Sequence, residues 1–314
     1  MDIKNIKKGT RRSTKMSMFR KTIMNNLTTD IEPMLILQGK IMAELNKSKT
    51  STNIQDYEFK VFSQTGEDGI IQYLINKIPI KNKVFVEFGV ENYTEASTRF
   101  LLQNDNWSGL VIDGSKDCMD SVKNSTLGWK YDLKTVPGFI TKDNINDIIK
   151  GGGIEGEIGI LSVDIDGNDY WVLDAIECVN PQILIVEYNS LFGSKAKITV
   201  PYDENFVRTE KHYSNLYYGA SIAALTELAN KKGYSLVGSN KFGNNLFFVR
   251  QDYQSIENQI TPQTAYSKSK FKESRNEKGH LTHLSHEEGI KLIGECKVVE
   301  IETGKIQKIK ETKI

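Results

Sequence analysis

Cysteine is scarce in this chain, and what there is forms no pattern. Cys118, Cys178 and Cys296 stand far apart among 314 residues without C-x-x-C spacing, which argues against a disulfide framework or a zinc knuckle and fits a reducing cytosol. No apolar run approaches the ~20 residues of a membrane span, and the N-terminus carries no uninterrupted apolar core for a signal peptide. A soluble, cytoplasmic protein without a membrane span is the expectation. Net charge is nearly absent: 41 basic against 40 acidic side chains leave +1, so nothing global draws the chain to nucleic acid, and a small molecule is the expected partner. Of only four histidines, His280, His283 and His286 fall at three-residue steps in a polar tail. With no acid or cysteine ligand pattern beside them, they read as solvated residues.

The remainder has globular proportions, 39% apolar and 26% charged, and the length suits one large α/β domain with attachments. Charge is spread unevenly. Lys4, Lys7, Lys8, Arg11, Arg12, Lys15, Arg20 and Lys21 make a basic arm without an acid, read as solvated, with a polyanion contact or partner docking as the other readings. Apolar residues at 34, 35, 37, 41, 42 and 45 then predict a helix laid on the domain or on a second subunit, a route to a homo-oligomer. Asn46 to Asp56 reads as a linker. A helix is expected after Phe62-Ser-Gln-Thr-Gly-Glu-Asp-Gly, capped by Ser63 or Thr65.

From Val84 the chain alternates strands and helices. Strands are predicted at Val84 to Phe88, Gly109 to Ile112, weakly around Lys130 to Val136, then at Ile158 to Val163, Ile183 to Glu187, Tyr234 to Val237 and Leu246 to Val249. The central runs are continuously apolar, as in a parallel sheet covered on both faces, and the last two strands flank Gly243-Asn-Asn as an antiparallel hairpin. The fold class is therefore α/β: a Rossmann-like, seven-stranded, mostly parallel sheet with a terminal antiparallel hairpin and helices on both faces, the strand order expected of a class I methyltransferase. Its span is 59–252, preceded by the arm and accessory helix (1–58) and followed by a polar extension (253–314). Residues 188–217 interrupt the alternation as an insertion suited to a substrate wall or lid. The extension shows a weak helix at 285–293, a strand at Lys297 to Ile301, and no site chemistry.

The candidate site begins at Val84-Phe-Val-Glu-Phe-Gly-Val-Glu-Asn-Tyr93. A dinucleotide loop needs several glycines around a pyrophosphate; this one has one glycine and two acids. Glu87 and Glu91 would repel phosphate and attract a sulfonium and an ammonium, so the spacing favours S-adenosylmethionine over a nicotinamide cofactor. Gly89 makes the turn. Asp113, followed by Gly114, closes the second strand about one βαβ unit later, where a carboxylate can accept from a ribose diol or, alternatively, cap the next helix. Trp107 reads as a packing residue rather than an adenine stacker. In Leu161-Ser-Val-Asp-Ile-Asp-Gly-Asn-Asp-Tyr-Trp171, Asp164 and Asp166 share a face at the carboxyl end of the fourth strand, and Asp169 follows at a helix start. Glu187 and Asn189 end the fifth strand. Asp164, Asp166, Glu187 and Asn189 offer oxygen to Mg²⁺ or Mn²⁺, though no spacing demands a metal. His212, in the insertion, could act as a base.

Phe62-Ser-Gln-Thr-Gly-Glu-Asp-Gly-Ile-Ile71, Val86-Glu-Phe-Gly-Val-Glu91, Ser162-Val-Asp-Ile-Asp-Gly-Asn-Asp-Tyr-Trp171, Ile185-Val-Glu-Tyr-Asn189, Tyr218-Gly-Ala-Ser221 and Gly243-Asn-Asn-Leu-Phe-Phe-Val249 together resemble the bacterial FkbM-like, S-adenosylmethionine-dependent methyltransferases over about 59–252. The fourth-strand motif departs from that group's more usual Asp then Glu-Gly. The resemblance implies cofactor contacts by Glu87, Gly89 and Asp113, active-site roles around Asp164 and Asp166, and O-methylation of a glycan, capsule constituent or secondary metabolite. The expected activity is methyl transfer to a small polar or sugar-like acceptor, with Asp164 or His212 as base. A nicotinamide-dependent oxidoreductase and a non-catalytic scaffold of the same fold are the alternatives.

Overall fold

The computed structural model describes residues 31–253 and 260–314, so the basic arm lies outside the described residues. Its strands are β1 (Val84–Phe88), β2 (Ser108–Asp113), β3 (Leu133–Pro137), β4 (Gly156–Val163), β5 (Val179–Glu187), β6 (Ile198–Thr199), β7 (Tyr234–Ser239), β8 (Asn245–Arg250), β9 (Lys297–Glu300) and β10 (Ile306–Lys308). Seven of them form one sheet in the order β3-β2-β1-β4-β5-β8-β7. β1 to β5 run parallel, while β8 lies antiparallel to both β5 and β7. The Rossmann-like architecture expected from the alternation is the one observed.

The apolar runs explain the two-sided core. Along β5 and β8, successive side chains go to opposite faces: Leu184, Val186, Leu246 and Phe248 join one buried cluster, and Ile183, Ile185, Phe247 and Val249 the other. At about 1.5–3 kcal/mol for each fully buried side chain of this size, neither face can be left open. Trp107 belongs to this packing, its ring occupying the place a side chain at Gly159 would need.

The edges depart from expectation in instructive ways. Residues 31–47 are helical and lie on the domain, with Leu35 and Ile36 against Val61, Phe62 and Phe100, and Glu32 paired to Arg99. Within the stretch read as a linker, Ile54–Tyr57 forms a 3-10 turn, and Ile54 fills the space over Gly238 of β7. The helix Glu67–Lys77 begins at Gly66 without a side-chain cap. Its own acids reach back instead: Asp68 Oδ2 accepts from the backbone N–H of Val61, Phe62 and Ser63, and Glu67 Oε2 from that of Thr65.

Insertion and tail are joined. β6 pairs with β9, and β9 with β10, making a three-stranded antiparallel sheet across a gap of about a hundred residues. The weak helix of the tail is His286–Leu292, opened by a capping box of Ser285 and Glu288. No helix among the described residues is long and apolar enough to cross a membrane.

Candidate active site

The chain passes outward from β1 to β2 and β3, then returns to β4 on the other side of β1, so a crevice opens at the carboxyl ends of β1 and β4, where open α/β sheets bind ligands. A cavity of about 680 Å³ occupies it. Its walls come from the loop after β1, the ends of β4 and β5, the insertion (Phe206, Arg208, Tyr218) and the tail (Phe271, Glu273). Among the lining residues Glu87, Glu91, Glu95, Asp164, Asp166, Glu187 and Glu273 face a single cationic side chain, Arg208.

The one glycine of the first loop has a steric cause. Gly89 has φ +67°, and a Cβ there would sit 2.0 Å from the Asp164 carbonyl oxygen. Its N–H bonds to Ile112 O at 3.0 Å, binding β1 and β2 at the mouth. Glu87 is buried and its carboxylate is fully engaged: Oε1 accepts from Ser97 N–H at 2.7 Å, Oε2 from the N–H and hydroxyl of Thr98. Burial still pushes its carboxyl up to about 7, against the lowering effect of those bonds. Asp113 and Gly114 are not among the lining residues. Asp113 Oδ2 accepts from Glu91 N–H and Oδ1 from Ser115 N–H, each at 2.8 Å, while Ser115 itself caps the helix Lys116–Lys123. Asp113 thus shapes the loop that carries Glu91.

The fourth and fifth strands bring three acids together. One carboxylate oxygen each of Asp164, Asp166 and Glu187 lie within 4.8 Å of one another. Burial first, and then the neighbouring carboxylates, raise the Asp164 and Glu187 carboxyls well above the usual range, with the charge of Arg208 working the other way. Asp166 adopts φ +56° and is largely exposed. Asp169 is a support: its oxygens accept from Ile165 and Gly167 N–H at 2.8 and 2.9 Å, folding the loop that presents Asp166. Burial raises its carboxyl to about 6.

The insertion closes over this loop. Phe206 stands where any side chain at Gly167 would go, Asn168 donates to Asp203 O, and Gly219 N–H bonds Gly167 O. Arg208 fastens the cover. Its Nη1 meets Asp166 Oδ1 and its Nη2 meets Glu273 Oε1, each at 2.5 Å; Nε donates to Asn215 O at 2.8 Å, and the guanidinium lies 3.6 Å from the centre of the Tyr218 ring. Arg208, Phe271 and Glu273 escape a sequence reading because no local spacing marks them, and Tyr218, though part of a motif, carries no site role there; the tail therefore does contribute to the site.

Besides Asp113 and Gly114, two further expected participants are not brought to the cavity. His212 does not line it: the ring stacks on Tyr213, and Nδ1 accepts from Ser214 N–H and faces the Ser214 hydroxyl at 2.7 Å. Burial also lowers its proton affinity. Asn189 is a structural cap. Its amide N–H groups bond Leu216 O and Tyr218 O, and its oxygen accepts from Leu191 N–H, leaving it outside the acidic cluster.

No protein-family model and no curated protein matches the chain. Solved structures are similar to it in fold. They include the N-terminal domain of EvdMO1 with SAH bound, at 10% identity, 60% of this chain against 81% of that one, and TM-score 0.37. A methyltransferase from Clostridium acetobutylicum ATCC 824 shares 9% identity over 59% of this chain and 90% of its own, with TM-score 0.38. PKMT2 from Rickettsia typhi, in complex with AdoHcy, shares 12% over 57% and 52%, with TM-score 0.38.

Proposed function

We propose that this chain is a cytoplasmic, FkbM-like O-methyltransferase that uses S-adenosylmethionine and acts on a small polar or sugar-like acceptor. The observation that carries the reading is the acidity of the cavity: a switch-point crevice lined by seven acidic side chains and one arginine. Such walls fit a cationic donor without phosphates and disfavour a dinucleotide, which needs backbone N–H groups and positive charge around its pyrophosphate. Glu91 and the turn at Gly89 would hold the donor, with Glu87 tying that loop to its strand through Ser97 and Thr98 and Asp113 positioning it through Glu91 N–H.

When bound, S-adenosylmethionine supplies an electrophilic methyl group on sulfur. The residues of this chain have the remaining tasks, which are to align an acceptor hydroxyl and take its proton. Asp164 is the base: a partly buried carboxyl with oxygens of Asp166 and Glu187 within 4.8 Å is a stronger base than an isolated, solvated one. Arg208 and Tyr218 form the acceptor wall, and Glu187 accepts from the acceptor. Isothermal calorimetry tests the root of the reading, with S-adenosylhomocysteine expected to bind one per chain. Binding of neither it nor S-adenosylmethionine would refute the proposal. Formation of S-adenosylhomocysteine from a panel of sugars then reports the acceptor class.

A further inference from the structure

Glu187 is 7% exposed, lines the cavity, and has one carboxylate oxygen, Oε2, that is buried without any hydrogen-bond partner. A buried acceptor left in that state is costly, and more so for a charged group. Apart from the Asp164 carboxyl beside it, its polar neighbours direct their hydrogen bonds elsewhere. Arg208, the nearest cation, has its Nε, Nη1 and Nη2 on Asn215, Asp166 and Glu273, and Asn245, which faces Glu187 across the β5–β8 ladder, directs its amide to Glu67. Two further carboxylates, Asp164 and Asp166, bring an oxygen within 4.8 Å of a Glu187 oxygen and of each other. They arrive from a separate strand end, on a loop fixed by Asp169.

We propose that Asp164, Asp166 and Glu187 form a divalent-cation site, taking Mg²⁺ or Mn²⁺ through one oxygen each, so that Asp164 keeps its second oxygen for the acceptor proton. The donors are all hard oxygen, with no thiolate or imidazole among them, which selects these ions over zinc or copper. Three protein ligands leave an octahedral ion about three further positions for water or substrate oxygens. The cavity continues from this cluster toward Phe206, Tyr218 and Phe271, so the open side of the ion faces the acceptor space. Asp166 pairs with Arg208 through Oδ1, so an ion on the same carboxylate would link the cover of the site to its occupancy.

The ion's role rests on the methyl-transfer reading, but its binding does not. Mn²⁺ titrated into the full chain and followed by electron paramagnetic resonance should show one bound ion, displaced by Mg²⁺. Glu187→Gln and Asp166→Asn should each weaken it about tenfold or more. Asp166 is largely exposed and asparagine tolerates its positive φ, so the second variant keeps the fold. No bound Mn²⁺ in the wild type at about 1 mM, the weak end for oxygen-ligand sites, or equal affinity in both variants, overturns the site. Mn²⁺ binding without affinity for S-adenosylhomocysteine keeps the site and removes the methyltransferase reading. S-adenosylhomocysteine formation undiminished in EDTA, with no Mn²⁺ bound, does the reverse.

Discussion

Glu87 and Glu187 are the same side chain at the same edge of the same sheet, 5% and 7% exposed, and they have opposite circumstances. Glu87 accepts three hydrogen bonds from Ser97 and Thr98, and so ties the loop after β1 to its strand. Glu187 leaves an oxygen with none. Burial therefore does not separate a structural carboxylate from one built to meet a ligand. The hydrogen-bond account does, because native interiors rarely leave a buried polar atom unmatched without a reason.

The comparison can be broken most sharply at Asp164, Glu187's neighbour across the β4–β5 edge. Asp164→Asn should lower turnover by about 10²- to 10⁴-fold, the range for loss of a positioned base, while the denaturation midpoint holds or rises because a crowded charge has gone. A fall in stability matching the fall in rate would place Asp164 with Glu87 as a structural group. Next comes the glycine where the two regions touch. Gly89→Ala forces a Cβ into the Asp164 carbonyl at positive φ, and overpacking plus the left-handed conformation should cost about 3–5 kcal/mol in urea unfolding.

Glu87 itself supplies a pH signature. Its folded carboxyl titrates at about 7, above the ordinary 4.5, so between these values the native state holds a proton that the unfolded chain has lost. Stability should therefore decline as pH rises from about 4.5 to 7, by up to about 3 kcal/mol from this group. Asp68 and Asp169, both raised to about 6 by burial, add slope of the same sign. Glu87→Gln should flatten the profile of unfolding free energy against pH and cost about 1–3 kcal/mol at pH 5 through the mismatched N–H groups. An unchanged slope would show that the carboxyl is not perturbed. The smallest effect belongs to Glu273→Gln. Its pair with Arg208 is partly solvated, so stability should shift by only about 0.5 kcal/mol, whereas the Michaelis constant for the acceptor should rise as the cover loosens.

Much of this was legible in the sequence because it is local. Val- and Ile-rich runs, a glycine hairpin and an aspartate at a strand end follow from periodicity and turn chemistry, and β1, β4, β5, β7 and β8 fall where that pattern puts them. Gly89 was legible for a related reason, since its constraint is written in its own backbone. The cover was not. Arg208 meets Asp166 across 42 residues and Glu273 across 65, and β6, two residues long, has no signal of its own until β9 lies beside it. Nor does sequence separate Glu87 from Glu187, because the difference lies in which backbone N–H groups a side chain meets. His212 illustrates the converse: its residue type suits acid–base work, but its ring is turned to Ser214.

The seam between β6 and β9 also has a meaning in time. A chain leaving the ribosome completes the seven-stranded sheet with β8, at Arg250, and domains fold as units while synthesis continues. At that moment the acids of β4 and β5 already stand at an open edge, but Glu273 has not arrived to hold Arg208, and β9 has not arrived to hold the insertion. The sheet-edge half of the crevice is thus finished early and its cover late. A nascent chain halted after β8 would present the acids of β4 and β5 in an open crevice without its cover.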